Sequence, residues 1–339
     1  MSLATKYRPR DFESVVGQEN IITILSNQVQ NKDIRQAYLF VGGAGTGKTT
    51  VARILGSELK GEVIEIDAAS NNGVDDVRRI REECKYKPIS AEYKVYIVDE
   101  VHMLSTGAFN ALLKTLEEPP AHAIFILATT DPHKIPATIL SRCQRFDFKR
   151  IHDGKIQERL NWIIEQENGS RGLEHYQIGK DVYTYLSKLA DGGMRDAISL
   201  LDTCLDYKQE LSLEDIEEIL GYSSYSEIIG LLNAIIDRDS KTIIETIENL
   251  HMAGKDLKQF IKRLTEFTVE LGKVAVLGNF EFTKIPPNYE EEVLEFLEVV
   301  KEEGIQLREL FGDFNNLLGQ IKYENNPKVL IQGGLLGLC

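Results

Sequence analysis

The sequence has few of the features that mark membrane, secreted or metal-cluster proteins. No apolar run approaches the ~20 residues that cross a bilayer, and residues 1–8 lack the apolar centre of a secretion signal. Its four cysteines, Cys84, Cys143, Cys204 and Cys339, form no C-x-x-C pair, so neither a disulfide framework nor a zinc cluster is indicated. Repeats and low-complexity tracts are also absent from the sequence. We therefore expect a cytoplasmic globular protein of two or three domains without membrane contact.

Positive charge is scarce as well. The formal net charge is −14 at pH 7, and residues 1–150 carry 20 Lys and Arg against 19 Asp and Glu, whereas residues 151–339 carry 19 against 34. Binding of nucleic acid through counterion release requires clustered Lys and Arg. The composition therefore excludes a general nucleic-acid coat protein. Any DNA contact would use local groups of the nearly neutral N-terminal part, aided by partners.

One glycine-rich segment has a complete phosphate-binding pattern. It reads Gly42-Gly43-Ala44-Gly45-Thr46-Gly47-Lys48-Thr49, which matches G-x-x-x-x-G-K-[ST], and it lies between an apolar strand and a helix that starts near Thr50. The glycines let successive backbone N–H groups converge on phosphate, Lys48 reaches the outer phosphates, and Thr49 offers a hydroxyl to Mg²⁺. The segment predicts a nucleoside triphosphate site with Mg²⁺.

The N-terminal part alternates short apolar strands with amphipathic helices. This alternation predicts an α/β fold in which a parallel sheet has helices on both faces. The predicted strands are 38–41, 63–66, 95–98, 124–128 and 145–148.

From residue 151 onward, helical patterns dominate. The predicted helices are 156–165, 181–189, 196–207, one capped by Ser212 that ends near Gly221, 225–237, 240–251, 257–277, 289–303 and 307–320. We therefore expect three domains: an α/β nucleotide-binding domain over 1–150, a small helical lid over 151–221, and an all-α domain over 222–339.

Two adjacent acids follow the apolar strand 95–98. Asp99 can hold the Mg²⁺ shell and Glu100 can polarise the attacking water. An acidic strand end is common in purely structural settings, but its pairing with a phosphate loop favours catalysis. Asp99-Glu100-Val101-His102 also fits the D-E-x-H box of nucleic-acid helicases.

Two further polar positions are ambiguous from the residues alone. Thr130 follows the strand 124–128 and can bond the γ-phosphate or the water, although such a threonine is more often a cap. Arg142, between a helix end and the last strand, can serve a neighbouring subunit's γ-phosphate, and such arginines are worth about 10³–10⁵ in rate. A surface arginine paired with an acid is the simpler interpretation of that residue.

Several segments, the phosphate loop among them, follow one another in a characteristic order: Lys6-Tyr7-Arg8-Pro9, Val16-Gly17-Gln18, residues 42–49, Glu65-Ile66-Asp67-Ala68-Ala69-Ser70, residues 98–104, residues 110–120, residues 128–132, Ser141-Arg142-Cys143 and Gly192-Gly193-Met194-Arg195-Asp196-Ala197. In this order the chain resembles the bacterial DNA polymerase III gamma/tau subunit family, the ATPases of an AAA+ sliding-clamp loader. The resemblance covers residues 1 to about 221, and the remainder fits the family's collar domain by position and pattern.

The resemblance implies a role for each matching residue. It gives catalytic roles to Lys48 and Glu100. Thr130 would be sensor 1 and Arg195 sensor 2. Arg142 would be an arginine finger that acts on the adjacent subunit. Residues 42–49, Thr50 and Arg195 would contact the nucleotide. The residues around the adenine would be Tyr7, Arg8, Val15 and Val16. Mg²⁺ would be held by Thr49 and Asp99.

Two departures from the family pattern qualify the resemblance. The four-cysteine zinc module usual after the first helix is replaced by the direct crossing Leu59-Lys60-Gly61-Glu62-Val63, so no zinc is expected. No long tail follows Cys339, which fits a gamma-length form or a compact viral relative. Coupling to the polymerase by this chain is accordingly not expected.

The family's function supplies the remaining expectations. ATP binding would assemble a spiral that opens a ring-shaped clamp and grips primer-template DNA, and hydrolysis would release the closed clamp. Partners would be delta-like and delta-prime-like subunits and further copies of this chain, in a pentameric hetero-oligomer. Candidate DNA contacts, each equally interpretable as an ordinary cap or a solvated charge, are Ser70, Asn71, Asn72, Arg78, Ser105, Thr106 and Lys134. The alternatives are a branch-migration type DNA motor and a non-catalytic scaffold subunit.

Overall fold

A computed structural model describes residues 1–171, 175–220, 224–322, 324 and 326–338 of the chain. These residues form two compact units. The first comprises Met1–Gly172 with Ala190–Asp202, and the second comprises Leu173–Leu189 with Thr203–Cys339. The predicted three-domain division stays a prediction, and its boundary at residue 221 and the chain end at Cys339 lie outside the described residues.

The first unit is built on a five-stranded, fully parallel sheet. Its strands run in the spatial order β2-β3-β4-β1-β5. The strands are β1 (Ala37–Gly42), β2 (Glu62–Asp67), β3 (Lys94–Asp99), β4 (Ala123–Thr129) and β5 (Gln144–Phe148). All five predicted strands are therefore confirmed. Because they are parallel, the ends of β1, β3 and β4 lie side by side at one edge.

Helices cover both faces of this sheet. Leu39 and Val41 of β1 belong to one apolar cluster, and Tyr38 and Phe40 belong to another, as strand alternation requires. The helices of this unit up to residue 171 are α1 (Leu3–Lys6), α2 (Glu19–Asn31), α3 (Lys48–Glu58), α4 (Val74–Glu83), α5 (Thr106–Glu117), α6 (Ala137–Leu140) and α7 (Asp153–Arg171). The first cluster includes residues of α4, α5 and α6, and the second includes residues of α2 and α3. The α/β class is confirmed.

Of the remaining helices, all but the last are close to their predicted positions. They are α8 (Lys180–Leu189), α9 (Met194–Tyr207), α10 (Leu213–Ile219), α11 (Tyr225–Ile236), α12 (Ser240–Met252), α13 (Leu257–Leu277), α14 (Glu290–Glu302), α15 (Leu307–Ile321) and α16 (Pro327–Leu336). Ser212 caps α10 in a capping box with Asp215, as its sequence predicted. Short 3-10 turns lie at Val101–Met103, Pro132–Lys134 and Pro287–Tyr289.

Two features of the second unit were not predicted. A two-residue parallel pair, β6 (Gln177–Ile178) and β7 (Glu210–Leu211), interrupts what the sequence suggested was purely helical. The last helix, α16, was also missed. Within the part of the chain that the structure describes, none of the helices combines the length and apolar character that crossing a bilayer requires.

Candidate nucleotide site

The phosphate loop joins β1 to α3 in the predicted strand–turn–helix context. Lys48 starts α3 and is only 6% exposed. Its ammonium donates to the carbonyls of Gly42 at 2.8 Å and Gly43 at 2.7 Å. Burial lowers the pKa of Lys48, and the carboxylates of Glu100 and Asp99 oppose that shift. The lysine is thus held inside the loop, where phosphate oxygens would meet it.

Glycine is required at two loop positions for different reasons. A Cβ at Gly42 would lie 2.6 Å from the Phe148 carbonyl oxygen, so the loop and β5 approach too closely for a side chain. Gly45 has φ +69°, and its Cβ would lie 2.9 Å from the Cα of Gly193. Met194 N–H donates to the Gly45 carbonyl at 3.0 Å. The start of α9 therefore rests directly on the phosphate loop.

The acidic end of β3 faces the start of α3. The Thr49 hydroxyl donates to Asp99 Oδ2 at 2.7 Å. A hydroxyl oxygen beside a carboxylate oxygen is the hard donor set that Mg²⁺ prefers. Both residues line the cleft described below, so they fit the role of Mg²⁺ ligands.

Glu100 is held by residues from two adjacent strand ends. Thr130 Oγ1 donates to Glu100 Oε2 at 3.0 Å, and His102 Nδ1 lies 3.2 Å from the same oxygen. The histidine Nδ1 also lies 3.1 Å from Thr129 Oγ1. Glu100 itself has φ +46°, an uncommon conformation for a residue with a side chain. Its carboxylate is therefore fixed in direction by neighbours as well as by its own backbone.

These groups border a cleft of about 1030 Å³, part of which is open to solvent. Of the predicted nucleotide residues, the lining includes Tyr7, Arg8, Val15, Val16, Ala44, Gly45, Thr46, Gly47, Lys48, Thr49, Thr50, Asp99, Glu100 and Arg195. Gly42 and Gly43 contribute through their carbonyls to Lys48. Thr130 reaches the cleft through Glu100. Arg142 does not line it.

Positive charge accumulates along this cleft. Burial lowers the pKa of Arg8, and the nearby charges of Arg53 and Arg195 lower it further. Glu65, which pairs with Arg53, opposes this shift. Guanidiniums that repel one another gain a favourable partner when phosphate or another anion enters, so the cleft favours an anionic ligand.

Arg142 occupies its predicted place between α6 and β5, on the surface. Its guanidinium donates to the Thr138 carbonyl at 2.7 Å and to Glu117 Oε1 at 2.7 Å. The simpler interpretation, a surface arginine paired with an acid, therefore describes the isolated chain. Its use by a neighbouring subunit is compatible with that position and stays a prediction.

The candidate DNA contacts are engaged in local structure. Ser70 and Asn71 hydrogen-bond Asp67, and the Asn72 carbonyl accepts from Ser105 N–H at 3.1 Å. The Ser105 side chain caps α5, which begins at Thr106. Arg78 pairs with Asp75, and Lys134 with Asp131. These contacts bring the starts of α4 and α5 together. DNA binding by any of these residues stays a prediction.

Sequence reasoning missed several residues of the site. Ala4, Pro9, Ile151, Arg159, Met194 and Ile198 also line the cleft, and His102 was noted only as part of a helicase-like box. Met194 flanks Arg195 in the quoted motif, so its position could have been inferred. Arg159 lies in a helix with no motif, and nothing in the sequence points to it.

Comparisons with known proteins identify the family to which the chain is similar. Two protein-family models match: one described as DNA polymerase III, delta subunit, over residues 60–152, and one described as DNA polymerase III subunits gamma and tau domain III, over residues 211–321. The DNA polymerase III subunit tau of Bacillus subtilis is 39% identical over 98% of this chain and 62% of its own length. The Escherichia coli subunit tau is 35% identical over 82% of this chain and 46% of its own length.

One shorter relative is matched almost end to end. The DNA polymerase III subunit gamma of Buchnera aphidicola from Schizaphis graminum is 33% identical over 94% of this chain and 95% of its own length. Among solved structures, the RuvB Holliday junction branch migration motor of Thermotoga maritima aligns with a TM-score of 0.51 at 19% identity, over 68% of this chain and 79% of that one. That likeness shows a shared fold and nothing more specific.

Proposed function

Because this chain belongs to the DNA polymerase III gamma and tau subunit family, we propose that it is an ATP-hydrolysing subunit of a DNA sliding-clamp loader. The chain spans 42–62% of the length of the first tau relatives it matches, so its activity, substrates and partners are part of the proposal. The observation that carries it is the convergence of Lys48, Asp99, Glu100 and Arg195 on one cleft.

Each residue has a defined task in hydrolysis. Lys48 and Arg195 bind the phosphates as cations, and the loop N–H groups orient them. Thr49 and Asp99 would hold Mg²⁺, which when bound neutralises phosphate charge. Glu100, oriented by Thr130 and His102, accepts the proton of the attacking water at Oε1 or Oε2. Val15, Val16 and Ile198 line the cleft with apolar surface that excludes water.

Arg142 supports a role for assembly in this chemistry. It lies outside the lining of its own chain's cleft, on the surface, beside Glu117. We propose that it completes the site of an adjacent subunit, so that hydrolysis becomes fast only in the assembled complex. The partners in this proposal are further copies of this chain, delta-like and delta-prime-like subunits, a ring clamp and primer-template DNA, in the cytoplasm. Assembly through the helical C-terminal domain, residues 222–339, belongs to the same proposal.

Reconstitution tests this function. The chain is purified with its candidate clamp and sister subunits, the mass of the complex is measured, and ATP hydrolysis is followed with and without clamp and primed DNA. We expect hydrolysis that clamp and primed DNA together stimulate, and clamp retained on circular primed DNA. The Lys48→Ala chain, assembled in the same way, provides the baseline.

Other outcomes identify other functions. Unwinding or translocation without any clamp would favour a branch-migration motor, and would contradict clamp loading. Absence of turnover in a complex of correct mass would favour a scaffold subunit. Retention of Lys48 and Glu100 in the cleft argues against that scaffold role.

A further inference from the structure

The N-terminal strap, residues 3–9, borders the nucleotide cleft. Ala4, Tyr7, Arg8 and Pro9 contribute to its lining. Terminal segments are usually poorly ordered unless specific contacts hold them. The strap is held by side chains of α7 and α9 that belong to no phosphate-binding motif. We call these side chains the anchors of the strap, and they indicate how this side of the cleft is closed.

The first anchor is Glu167 on α7. Its side chain is largely buried, and Oε1 accepts two hydrogen bonds, from Lys6 Nζ at 2.6 Å and from the Tyr7 hydroxyl at 2.8 Å. The bond to Glu167 raises the pKa of Lys6. A carboxylate taken out of water is costly unless it is paired and hydrogen-bonded. Glu167 meets that condition through two consecutive residues of the strap.

The second anchor is Arg159, about two turns earlier on α7. Its guanidinium donates to the Tyr7 carbonyl at 2.9 Å and lies 4.2 Å from the ring centre of Trp162. The Tyr7 ring meets the same indole edge-on, with ring centres 5.6 Å apart. Arg159 also lines the cleft, so it touches both the strap and the space that a nucleotide would fill.

The third anchor is Asp202 on α9. Its Oδ2 accepts from the Leu3 backbone N–H at 3.0 Å, and the Leu3 side chain is buried. The same helix carries Arg195 about two turns earlier. One helix therefore contacts the phosphate end of the cleft and also holds the start of the strap.

We propose that Glu167, Arg159 and Asp202 are positioning residues that fasten the N-terminal strap over the cleft and so set how long a nucleotide stays bound. The inference rests on the proposed nucleotide-binding function. Tyr7 and Arg8 lie in the strap, so any anchor that fixes the strap also fixes these two cleft residues. Releasing an anchor frees the strap and opens that side of the cleft.

Dissociation of a fluorescent ADP analogue, mant-ADP, from the full chain tests this proposal. Glu167→Gln keeps the shape of the side chain and removes the charge that two donors share. We expect its mant-ADP dissociation rate to rise by about tenfold or more, as charge-assisted hydrogen bonds of this kind predict, with little change in association. Glu165→Gln, an exposed carboxylate on the same helix, is the matched control and should dissociate like the wild type.

Trp162 gives a readout that a purely structural role would not change. It is the single tryptophan of the chain and contacts Tyr7 directly. In the wild type, mant-ADP should reduce acrylamide quenching of Trp162, because the strap stays fastened. In Glu167→Gln, acrylamide quenching of Trp162 should be stronger before mant-ADP is added, and it should decrease less when mant-ADP binds.

The outcomes separate this inference from the proposed function. If the wild type does not bind mant-ADP, both fail. If the wild type binds it and Glu167→Gln releases it at the rate of Glu165→Gln, only the strap proposal is overturned. Should Glu167→Gln lose its helical circular dichroism, Tyr7→Phe carries the test, since it removes only the hydroxyl that donates to Glu167. An unchanged dissociation rate in Tyr7→Phe would then overturn the proposal.

Discussion

The guanidinium of Arg142 and the carboxylate of Glu117 are joined by a 2.7 Å hydrogen bond at the surface, between the end of α5 and the start of β5. A second bond, from the same guanidinium to the Thr138 carbonyl, leaves the side chain few directions in which to point. Glu117 lies on α5 and Thr138 lies on α6, and both helices pack on the sheet. Arg142 is therefore held in place by two helices, as a residue that serves a neighbouring site requires.

Arg142→Ala should separate binding from hydrolysis. The side chain lies outside its own cleft, so mant-ADP affinity of the chain should not change. Hydrolysis stimulated by clamp and primed DNA in the assembled complex should fall by about 10³-fold, the lower end of what arginine fingers contribute. Arg145→Ala, at an exposed position of β5 and paired with Asp147, is the control. Unchanged stimulated turnover in Arg142→Ala would exclude the finger role.

Glu100→Gln should trap nucleotide without hydrolysing it. The amide keeps the contacts near Thr130 and His102 but cannot take a proton from water, so single-turnover hydrolysis should fall by about 10²–10⁴-fold. Binding measured by filter retention of labelled ATP should be unaffected. Glu62→Gln, an exposed acid at the far end of β2, controls for the loss of one charge. Turnover close to that of the wild type would mean that another residue is the base.

Gly45→Ala should destabilise the first unit and weaken nucleotide binding. The new side chain would be held at a left-handed φ, which costs roughly 1–2 kcal/mol, and would press on Gly193 at 2.9 Å, which adds about 1–3 kcal/mol. Gly17→Ala is a matched control in the same unit, because it has φ +75° and its nearest neighbour would lie at an ordinary 3.4 Å. Urea unfolding of both variants measures the difference. An equal loss of unfolding free energy in the two variants would show that the contact with Gly193 does not destabilise the protein.

Cys143, directly after Arg142, should be slow to react in the folded chain. Burial raises the pKa of its thiol to about 12, so the reactive thiolate is a fraction of about 10⁻⁴ at pH 8. Because the pKa is raised, the labelling rate should increase about tenfold for each pH unit from 8 to 11. Iodoacetamide labelling followed by peptide mass spectrometry measures this rate. If Cys143 of the folded chain is labelled at pH 8 as fast as in the urea-unfolded chain, the prediction is wrong.

Local segments made much of the site predictable from the sequence. The phosphate loop, Asp99 with Glu100, and the strand before each are contiguous stretches whose residue types are required by their chemistry. The parallel strands then bring these stretches to one edge of the sheet. That is why Thr130 and Glu100, predicted separately, are found hydrogen-bonded.

Contacts between distant parts of the chain were not predictable in this way. Glu167 and Arg159 lie on a helix without a motif, and only the fold brings them to Tyr7. Helix α16 was missed because it starts at Pro327 and contains Gly333 and Gly334, which weaken a helical pattern. Its place is determined by packing, including the pair between Lys328 and Glu248 of α12.

The contact between Gly45 and the start of α9 has a consequence for how the sequence can vary. The link consists of main-chain atoms: the Met194 N–H, the Gly45 carbonyl and the approach of Gly193. Substitution of Met194 keeps this hydrogen bond, since the backbone N–H is common to every residue except proline. Position 194 can therefore vary without loss of this link, whereas a side chain at Gly45 or Gly193 would displace it.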